Sequence, residues 1–252
     1  MKIIISPAKK MREEPDLPPE EKPFFLAQAK RLAGYLAGLP YDRLKALLAC
    51  NDQIAQLNYR RYQNMDLERR TSPALLSYEG IQYQYMAPGV FTRDQLHYIR
   101  QNLRIVSGLY GLLRPFDGAV PHRLEMQAKL QTDFCQNLYD FWGDSLARRL
   151  IDGGEETVLN LASAEYSRAI LPHLPPGVRC VSPVFGQLEG GKVVEKGVYV
   201  KMARGEMVRF LAEREIQSPW EIQEFDSLGF RYRPDLSQPD RPVFLLKSFQ
   251  RR

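Results

Sequence analysis

Two arginines and a glutamate lie close together in the middle of the chain, in a segment rich in proline and glycine. Arg114 precedes Pro115, and Arg123 and Glu125 follow Pro121. Because proline and glycine favour ordered turns, one loop could display both guanidinium groups and the carboxylate together. That combination suits an anionic ligand. The alternative is a turn whose arginines pair with local carboxylates, and the residue types leave both interpretations open.

A second polar group follows the first apolar run of the chain. Residues 2–5 include three isoleucines and predict a buried strand, and Ser6 and Lys9 come directly after it. Ligands of open α/β sheets bind at the carboxyl ends of strands. Ser6 is therefore a candidate binding residue and Lys9 a candidate catalytic residue. Two solvated lysines, Lys9 and Lys10, on a surface loop are the simpler alternative.

A third group follows another apolar run. Residues 158–163 predict a strand, and the polar residues after it predict the start of a helix. This strand end would bring Asn160, Ser163 and Glu165 to one place. Asn160 and Ser163 are candidate ligand-binding residues, and Glu165, like Glu125, is a candidate general acid or base.

Three cations lie where a strand is predicted to pass into a helix. They are Lys201, Arg204 and Arg209, and a helix N-terminus at this point would add its own donors and positive potential. We therefore expect an anion site, with Lys201 as a further catalytic candidate. The alternative is pairing of these cations with Glu206 and Glu213.

Helical periodicity dominates residues 24 to 61 and predicts three helices, the third beginning near Asn51 and Asp52. Between Lys22 and Arg70 there are nine Lys or Arg and four Asp or Glu, an excess that equals the +5 net charge of the chain. A basic helix face of this kind could bind phosphates, with Tyr59 and Tyr62 available for stacking. The alternative is a helix face that is simply solvated. The candidate DNA-binding residues are Lys45, Arg60, Arg61, Arg69 and Arg70.

The remaining elements complete an α/β prediction: a mixed α+β sheet with an N-terminal helical block, in a single domain over residues 1–252. Residues 75–86 alternate like a strand, and Thr92 is the expected N-cap of the next helix. We further predict a strand at 180–185, a hairpin formed by 192–194 and 198–201, and a last strand at 243–246.

Composition excludes several classes of protein. The 252 residues are 44% hydrophobic and 26% charged, as in an ordinary globular protein. No apolar run approaches 18 residues, so no membrane partner is expected. The apolar start is much too short for a signal peptide, so we expect a cytoplasmic location.

Cysteine and histidine spacing predicts neither a disulfide framework nor a metal centre. The three cysteines and three histidines are widely separated, without a Cys-x-x-Cys or His-Glu-x-x-His pattern. We predict no metal site and no cofactor. The positions are Cys50, Cys135, Cys180, His97, His122 and His173.

Several motifs, spread in one order over nearly the whole chain, resemble the YaaA peroxide-stress family. They are residues 4–9 (IISPAK), 107–115 (SGLYGLLRP), 123–126 (RLEM), 141–144 (FWGD), 160–166 (NLASAEY) and 201–210 (KMARGEMVRF). The resemblance implies a cytosolic bacterial protein that limits oxidative damage and lowers free iron when peroxide accumulates. It also implies the cantaloupe fold, a positively charged cleft, a helix-hairpin-helix element and DNA binding.

Two positions depart from the family pattern. The helix-hairpin-helix would fall around residues 47–62, with its hairpin at 51–58, but this segment lacks the glycine that would bring backbone N–H groups to a phosphate. Position 79 is glutamate, where some relatives have lysine. These departures remove DNA-binding features, whereas the Lys, Arg and Glu residues of the predicted pocket remain.

Two hypotheses follow. In the first, the protein binds double-stranded DNA without sequence preference and limits iron-driven damage. In the second, it is an enzyme that acts on a small phosphorylated or carboxylated ligand, such as a nucleotide, in a Lys/Arg/Glu pocket. Strand ends and loops bounded by proline or glycine both deliver residues to one edge of a sheet, so we expect nine residues to converge on one cleft. They are Ser6, Lys9, Arg114, Arg123, Glu125, Asn160, Glu165, Lys201 and Arg204.

Overall fold

The computed structural model describes residues 1–13 and 17–247 and has the predicted α/β composition. The helices of this part are α1 (Leu26–Ala37), α2 (Tyr41–Leu48), α3 (Asp52–Gln63), α4 (Ala74–Ser77), α5 (Ile81–Met86), α6 (Arg93–Asn102), α7 (Leu138–Trp142), α8 (Ser145–Leu150), α9 (Ala164–Ser167) and α10 (Gly197–Glu213). Its strands are β1 (Lys2–Ile5), β2 (Lys10–Met11), β3 (Ser72–Pro73), β4 (Tyr78–Glu79), β5 (Leu103–Ser107), β6 (Gly111–Leu113), β7 (Gly118–Ala119), β8 (Thr157–Leu161), β9 (Arg179–Val181), β10 (Val184–Glu189), β11 (Lys192–Val194), β12 (Phe230–Tyr232) and β13 (Val243–Leu246).

The main sheet has the strand order β6-β5-β1-β8-β9. β1 is central, and its Ile3 pairs with Leu103 on one side and Leu159 on the other, both in parallel register. The three isoleucines of β1 are completely buried, as expected for a strand covered on both faces. The predicted first strand is confirmed. Because β1, β5 and β8 are parallel, their carboxyl ends share one edge of the sheet.

The N-terminal helical block contains the three predicted helices. Asn51 caps α3 by accepting a hydrogen bond from the Ile54 amide at 3.0 Å. Ala49 adopts the left-handed conformation (φ 44°) in the short connection after α2. Because Asn51 is the N-cap, α3 begins at Asp52, and residues 52–58 form its first part. The expected hairpin at 51–58 is therefore wrong.

The strand predicted at 75–86 is wrong. This segment instead forms α4, the two-residue strand β4 and α5. Packing explains the difference: a Cβ on Gly205 of α10 would lie 2.2 Å from the Gln82 carbonyl oxygen, so α10 and α5 are in very close contact. This contact involves α5 and stabilises it as a helix, which a local alternation pattern does not encode.

The C-terminal part contains a second sheet with the order β11-β10-β13-β12. The strand predicted at 180–185 is divided by Pro183, so β9 joins the main sheet and β10 the second sheet. Residues 198–201 belong to α10, and the predicted hairpin partner is wrong. The observed hairpin pairs β10 with β11 through Gly190 and Gly191, both at positive φ. The last strand, β13, is confirmed.

Candidate functional site

Three serines lie at the shared edge of the main sheet, one at the carboxyl end of each parallel strand β1, β5 and β8. Ser6 and Ser163 are in direct contact: Ser6 Oγ accepts a hydrogen bond from the Ser163 amide at 2.8 Å and donates to Ser163 Oγ at 3.2 Å. The Tyr83 hydroxyl donates to the Ser6 carbonyl at 2.9 Å. Ser107 ends β5 and is completely buried. Parallel pairing therefore produces a hydroxyl-rich floor.

Arg123, Glu125 and Lys9 form a charged cluster above this floor. Arg123 Nε and Nη2 both donate to Glu125 Oε1, at 3.0 and 2.7 Å. Lys9 Nζ lies 3.3 Å from the same oxygen. The Arg123 and Glu125 side chains are each 10% exposed, whereas Lys9 is 67% exposed. A nearly buried ion pair thus has one cation at its mouth that a ligand could reach.

The segment that carries Arg123 and Glu125 is held from two sides. On one side the backbone of Gly108 approaches Leu124, because a Cβ added at Gly108 would lie 2.4 Å from the Leu124 oxygen. On the other side the Tyr62 hydroxyl, at the end of α3, donates to the Arg123 carbonyl at 2.9 Å. Because glycine has no side chain, the backbone of residue 108 can approach Leu124 this closely.

Glu165 lies beside this cluster, in the single turn α9. Its Oε1 accepts a hydrogen bond from the Gln127 amide at 3.3 Å. Burial raises the pKa of the Glu165 carboxyl, and the nearby Glu125 also raises it, against the hydrogen bond from Gln127 and the positive charge of Lys9. Two carboxylates of unequal environment at one site are the arrangement that general acid–base chemistry uses.

A small cavity of about 10 Å³ lies between these residues, which is room for about one water molecule. A larger ligand would have to bind at the mouth, beside Lys9. The stacking role expected for Tyr62 is wrong, because its side chain is buried and its hydroxyl donates to the Arg123 carbonyl. Sequence reasoning also missed several residues of the cavity wall. For Ser107 a signal existed, since it follows an apolar run just as Ser6 does. The other missed wall residues are Tyr78, His122 and Tyr166.

Arg114 does not join this cluster, and the expectation that it would is wrong. β6 is antiparallel to β5, so the chain leaves β6 towards the opposite edge of the sheet. There Arg114 Nε donates to Asp117 at 2.8 Å, and the guanidinium also pairs with Glu21 and stacks over Phe24. Of the two interpretations of this arginine, pairing with local carboxylates is the one observed.

Asn160 lies on β8, where its side chain donates to Ser182 at 3.1 Å and accepts from the Ala162 amide. It thus orders the strand end. Lys201 is exposed on α10, and Arg209 pairs with Glu213 at 2.7 Å, which is the alternative weighed for it.

Lys201, Arg204 and Arg209 do not lie at the start of a helix, so the prediction of an anion site at a helix N-terminus is wrong for these three residues. α10 already begins at Gly197, so these cations lie within the helix. Within residues 1–13 and 17–247, no hydrogen bond or ion pair joins them to Arg123, Glu125 or Lys9. Arg204 is half-buried, and burial lowers its pKa; its Nε has no hydrogen-bond partner in the same ranges.

The cations predicted to bind DNA have different environments. Lys45 pairs with Asp52 at 2.7 Å, and Arg69 lies 3.6 Å from Asp66. Arg61 is half-buried and donates to the Met11 carbonyl at 3.4 Å. Arg60 and Arg70 are exposed and have no ion pair with any residue that the structure describes. Local acids therefore compensate part of the positive excess of the block.

Residues 1–13 and 17–247 contain neither a metal-binding group of side chains nor a membrane-spanning helix. No group of three or more His, Cys, Asp or Glu side chains in these ranges could hold a metal ion. None of their helices combines the length and the apolar character needed to cross a membrane.

Fold and site together define an α/β protein with a buried Arg–Glu pair at the carboxyl edge of its parallel strands. Residues 1–236 match the family model described as peroxide stress protein YaaA. The chain is 59% identical over 246 residues to a UPF0246 protein of Desulfitobacterium hafniense, covering 97% of this chain and 98% of the relative. A UPF0246 protein of Lachnoclostridium phytofermentans is 50% identical, over 97% of this chain and 96% of the relative. The chain belongs to the YaaA peroxide stress protein family, which confirms the resemblance.

Proposed function

We propose that this peroxide stress protein acts in the cytoplasm, binds the phosphate backbone of duplex DNA and shields the duplex from iron-driven oxidation. Support comes from cations that two separate segments contribute to one rim. The last turn of α3 carries Arg60 and Arg61, and Arg61 donates to the Met11 carbonyl. Lys9, two residues before Met11, is 67% exposed. Such a group of cations, with Lys9 and Arg60 exposed and Arg61 half-buried, suits a phosphate backbone, without reading the bases.

The paired cations limit how many phosphates this surface neutralises. Lys22 and Lys30 both bind Glu68, and Lys45 binds Asp52. These lysines contribute less to DNA affinity than their number suggests, because their charges are already compensated. The proposal therefore concerns the rim of Lys9, Arg60 and Arg61 rather than the whole helical block. Within this rim Lys9 is itself paired with Glu125 at 3.3 Å, so the two arginines are the main phosphate contacts.

The test is fluorescence anisotropy with several unrelated duplexes over a salt series. Each phosphate contact contributes about −0.9 to the slope of log K against log salt. We expect Arg60→Ala with Arg61→Ala to lower affinity equally for all sequences and to reduce the slope by roughly two. A matched double variant, Arg148→Ala with Arg214→Ala, removes two exposed arginines elsewhere and should leave the slope unchanged. Equal slopes for the rim variant and the wild type would contradict the proposal.

A second candidate function is catalysis on a small anionic ligand, with Glu165 as acid or base. The specific observation in its favour is the pair of unlike carboxylates beside Lys9. Glu125 is held by Arg123 and Lys9, whereas burial raises the pKa of Glu165. Glu165 is therefore the more suitable proton carrier.

Two isosteric variants distinguish the two functions. In the catalytic case, Glu165→Gln should abolish protection of cells from peroxide while thermal stability and duplex affinity stay unchanged. Glu125→Gln should also lower stability, because it removes a charge from a nearly buried ion pair. Full protection by a stable Glu165→Gln variant would rule out this chemistry.

A further inference from the structure

A second and much larger cavity borders the candidate site on the far side of Gln127. It has a volume of about 460 Å³, within the roughly 300–1,000 Å³ range of small-molecule sites. Glu165 marks the boundary, because its carboxylate accepts from the Gln127 amide and its carbonyl accepts from the Tyr139 hydroxyl at 2.9 Å. The cavity therefore lies next to the charged cluster, with Glu165 between them.

Two cationic side chains that line this cavity have N–H donors that could bind a ligand. Lys129 and Arg168 are exposed, and neither side chain has an ion pair or hydrogen bond with the described residues. Arg168 is not a randomly oriented surface residue, since its guanidinium lies over the Tyr139 ring at 5.1 Å. The Tyr139 hydroxyl is itself fixed on the Glu165 carbonyl. A guanidinium held by a ring with its edge unused is suited to a phosphate.

The rest of the lining suits a heterocycle. Gln127, Gln131 and Gln136 expose side-chain amides that make no hydrogen bond within the described ranges. An amide offers both a donor and an acceptor, the pattern that nucleobase edges require. The partly exposed Tyr139 contributes an aromatic ring to the same lining.

From this combination we propose that the cavity binds a nucleoside monophosphate unit, with the phosphate on Lys129 and Arg168 and the base on the glutamine amides. The unit is either a free nucleotide or a nucleotide of a single strand, which carry the same chemistry. The proposal does not depend on duplex binding at the rim, which involves other residues.

Isothermal titration calorimetry tests this site with four probes: a deoxynucleoside monophosphate, its nucleoside, inorganic phosphate and a short single-stranded oligonucleotide. We expect the monophosphate to bind at least about tenfold more tightly than the nucleoside or phosphate alone. Arg168→Ala should weaken binding by about tenfold or more, since a charge-assisted hydrogen bond is lost, and Arg168→Lys should restore part of it. Arg148→Ala, at another exposed arginine, is the matched control, and unchanged thermal unfolding excludes a folding defect.

The outcomes separate the sources of the ligand. If Arg168→Ala weakens binding of the monophosphate, the ligand is a free nucleotide. If the variant weakens binding of the oligonucleotide alone, the ligand is a nucleotide of a single strand. Equal affinity for phosphate and monophosphate would overturn the nucleotide assignment. Insensitivity of all four probes to Arg168→Ala would overturn the site, even if duplex binding at the rim were demonstrated.

Discussion

Replacing Gly108 with alanine tests how the Arg123–Glu125 segment is positioned. The added Cβ would lie 2.4 Å from the Leu124 carbonyl oxygen and 3.2 Å from its carbon. Both are backbone atoms, so no side-chain rotation can relieve the clash. Gly108 is not among the glycines at positive φ, so the clash is the main penalty rather than backbone strain. We expect the segment or the turn after β5 to move.

The size of the effect follows from three contributions. Overpacking costs about 1–3 kcal/mol, and a shift of the turn also weakens the bond from Trp142 Nε1 to the Gly108 carbonyl (3.1 Å), about 1 kcal/mol. Lower entropy of the unfolded chain offsets about 0.4–1 kcal/mol. We therefore expect the free energy of unfolding to fall by about 2 kcal/mol.

Urea unfolding of Gly108→Ala measures this change, with Gly34→Ala as the control. A Cβ at Gly34 meets nothing within 4 Å, and the residue lies within α1. The same substitution should stabilise the protein there by up to about 1 kcal/mol, since alanine favours a helix. If Gly108→Ala unfolds within about 0.5 kcal/mol of the wild type, the close approach to Leu124 is wrong. Survival of cells under peroxide should fall with Gly108→Ala and not with Gly34→Ala.

Three further predictions concern the segments around the site. Tyr62→Phe leaves the Arg123 carbonyl without its donor and should cost about 1–2 kcal/mol in urea unfolding, whereas an unchanged midpoint would refute that bond. Asn51→Ala removes the cap of α3 and should cost about 1 kcal/mol, measured by thermal unfolding against Asn51→Asp, which retains the cap. Burial lowers the pKa of His122 from 6.5 to about 4, so the fold prefers the neutral ring. The contribution of the neutral His122 ring to the free energy of unfolding is complete above about pH 6.5 and falls by about 3 kcal/mol as the pH drops to 4. The difference in unfolding free energy between wild type and His122→Asn should change by that amount over this pH range. A difference that stays constant would refute the lowered pKa.

Predictions from sequence succeeded where one local signal was strong. The three isoleucines of β1, the Thr92 cap and the last strand each match the structure. Thr92 accepts from the Gln95 amide while Gln95 reaches back to the Thr92 amide, a pattern contained within four residues. Such elements are determined by neighbouring residues, so their positions can be predicted from the sequence without knowledge of the fold.

Predictions failed where a short segment had no strong pattern of its own. α5 is only six residues long, and its contact with α10 through Gly205 comes from more than a hundred residues away. The glycines that flank residues 198–201 predict a hairpin, but these residues lie in the first turns of the long helix α10. Short apolar runs are ambiguous between helix and strand, and packing decides between them.

For the site, the sequence by itself determined that Ser6, Lys9 and Glu165 follow the ends of apolar strands, and that Arg123 and Glu125 share one short loop. Tertiary structure decided which groups meet. Parallel pairing of β1 and β8 brings Ser6 to Ser163, whereas antiparallel pairing of β6 sends Arg114 to the opposite edge. The physical reason is that strand direction, which determines the edge where a side chain emerges, depends on pairing between distant segments and not on residue type.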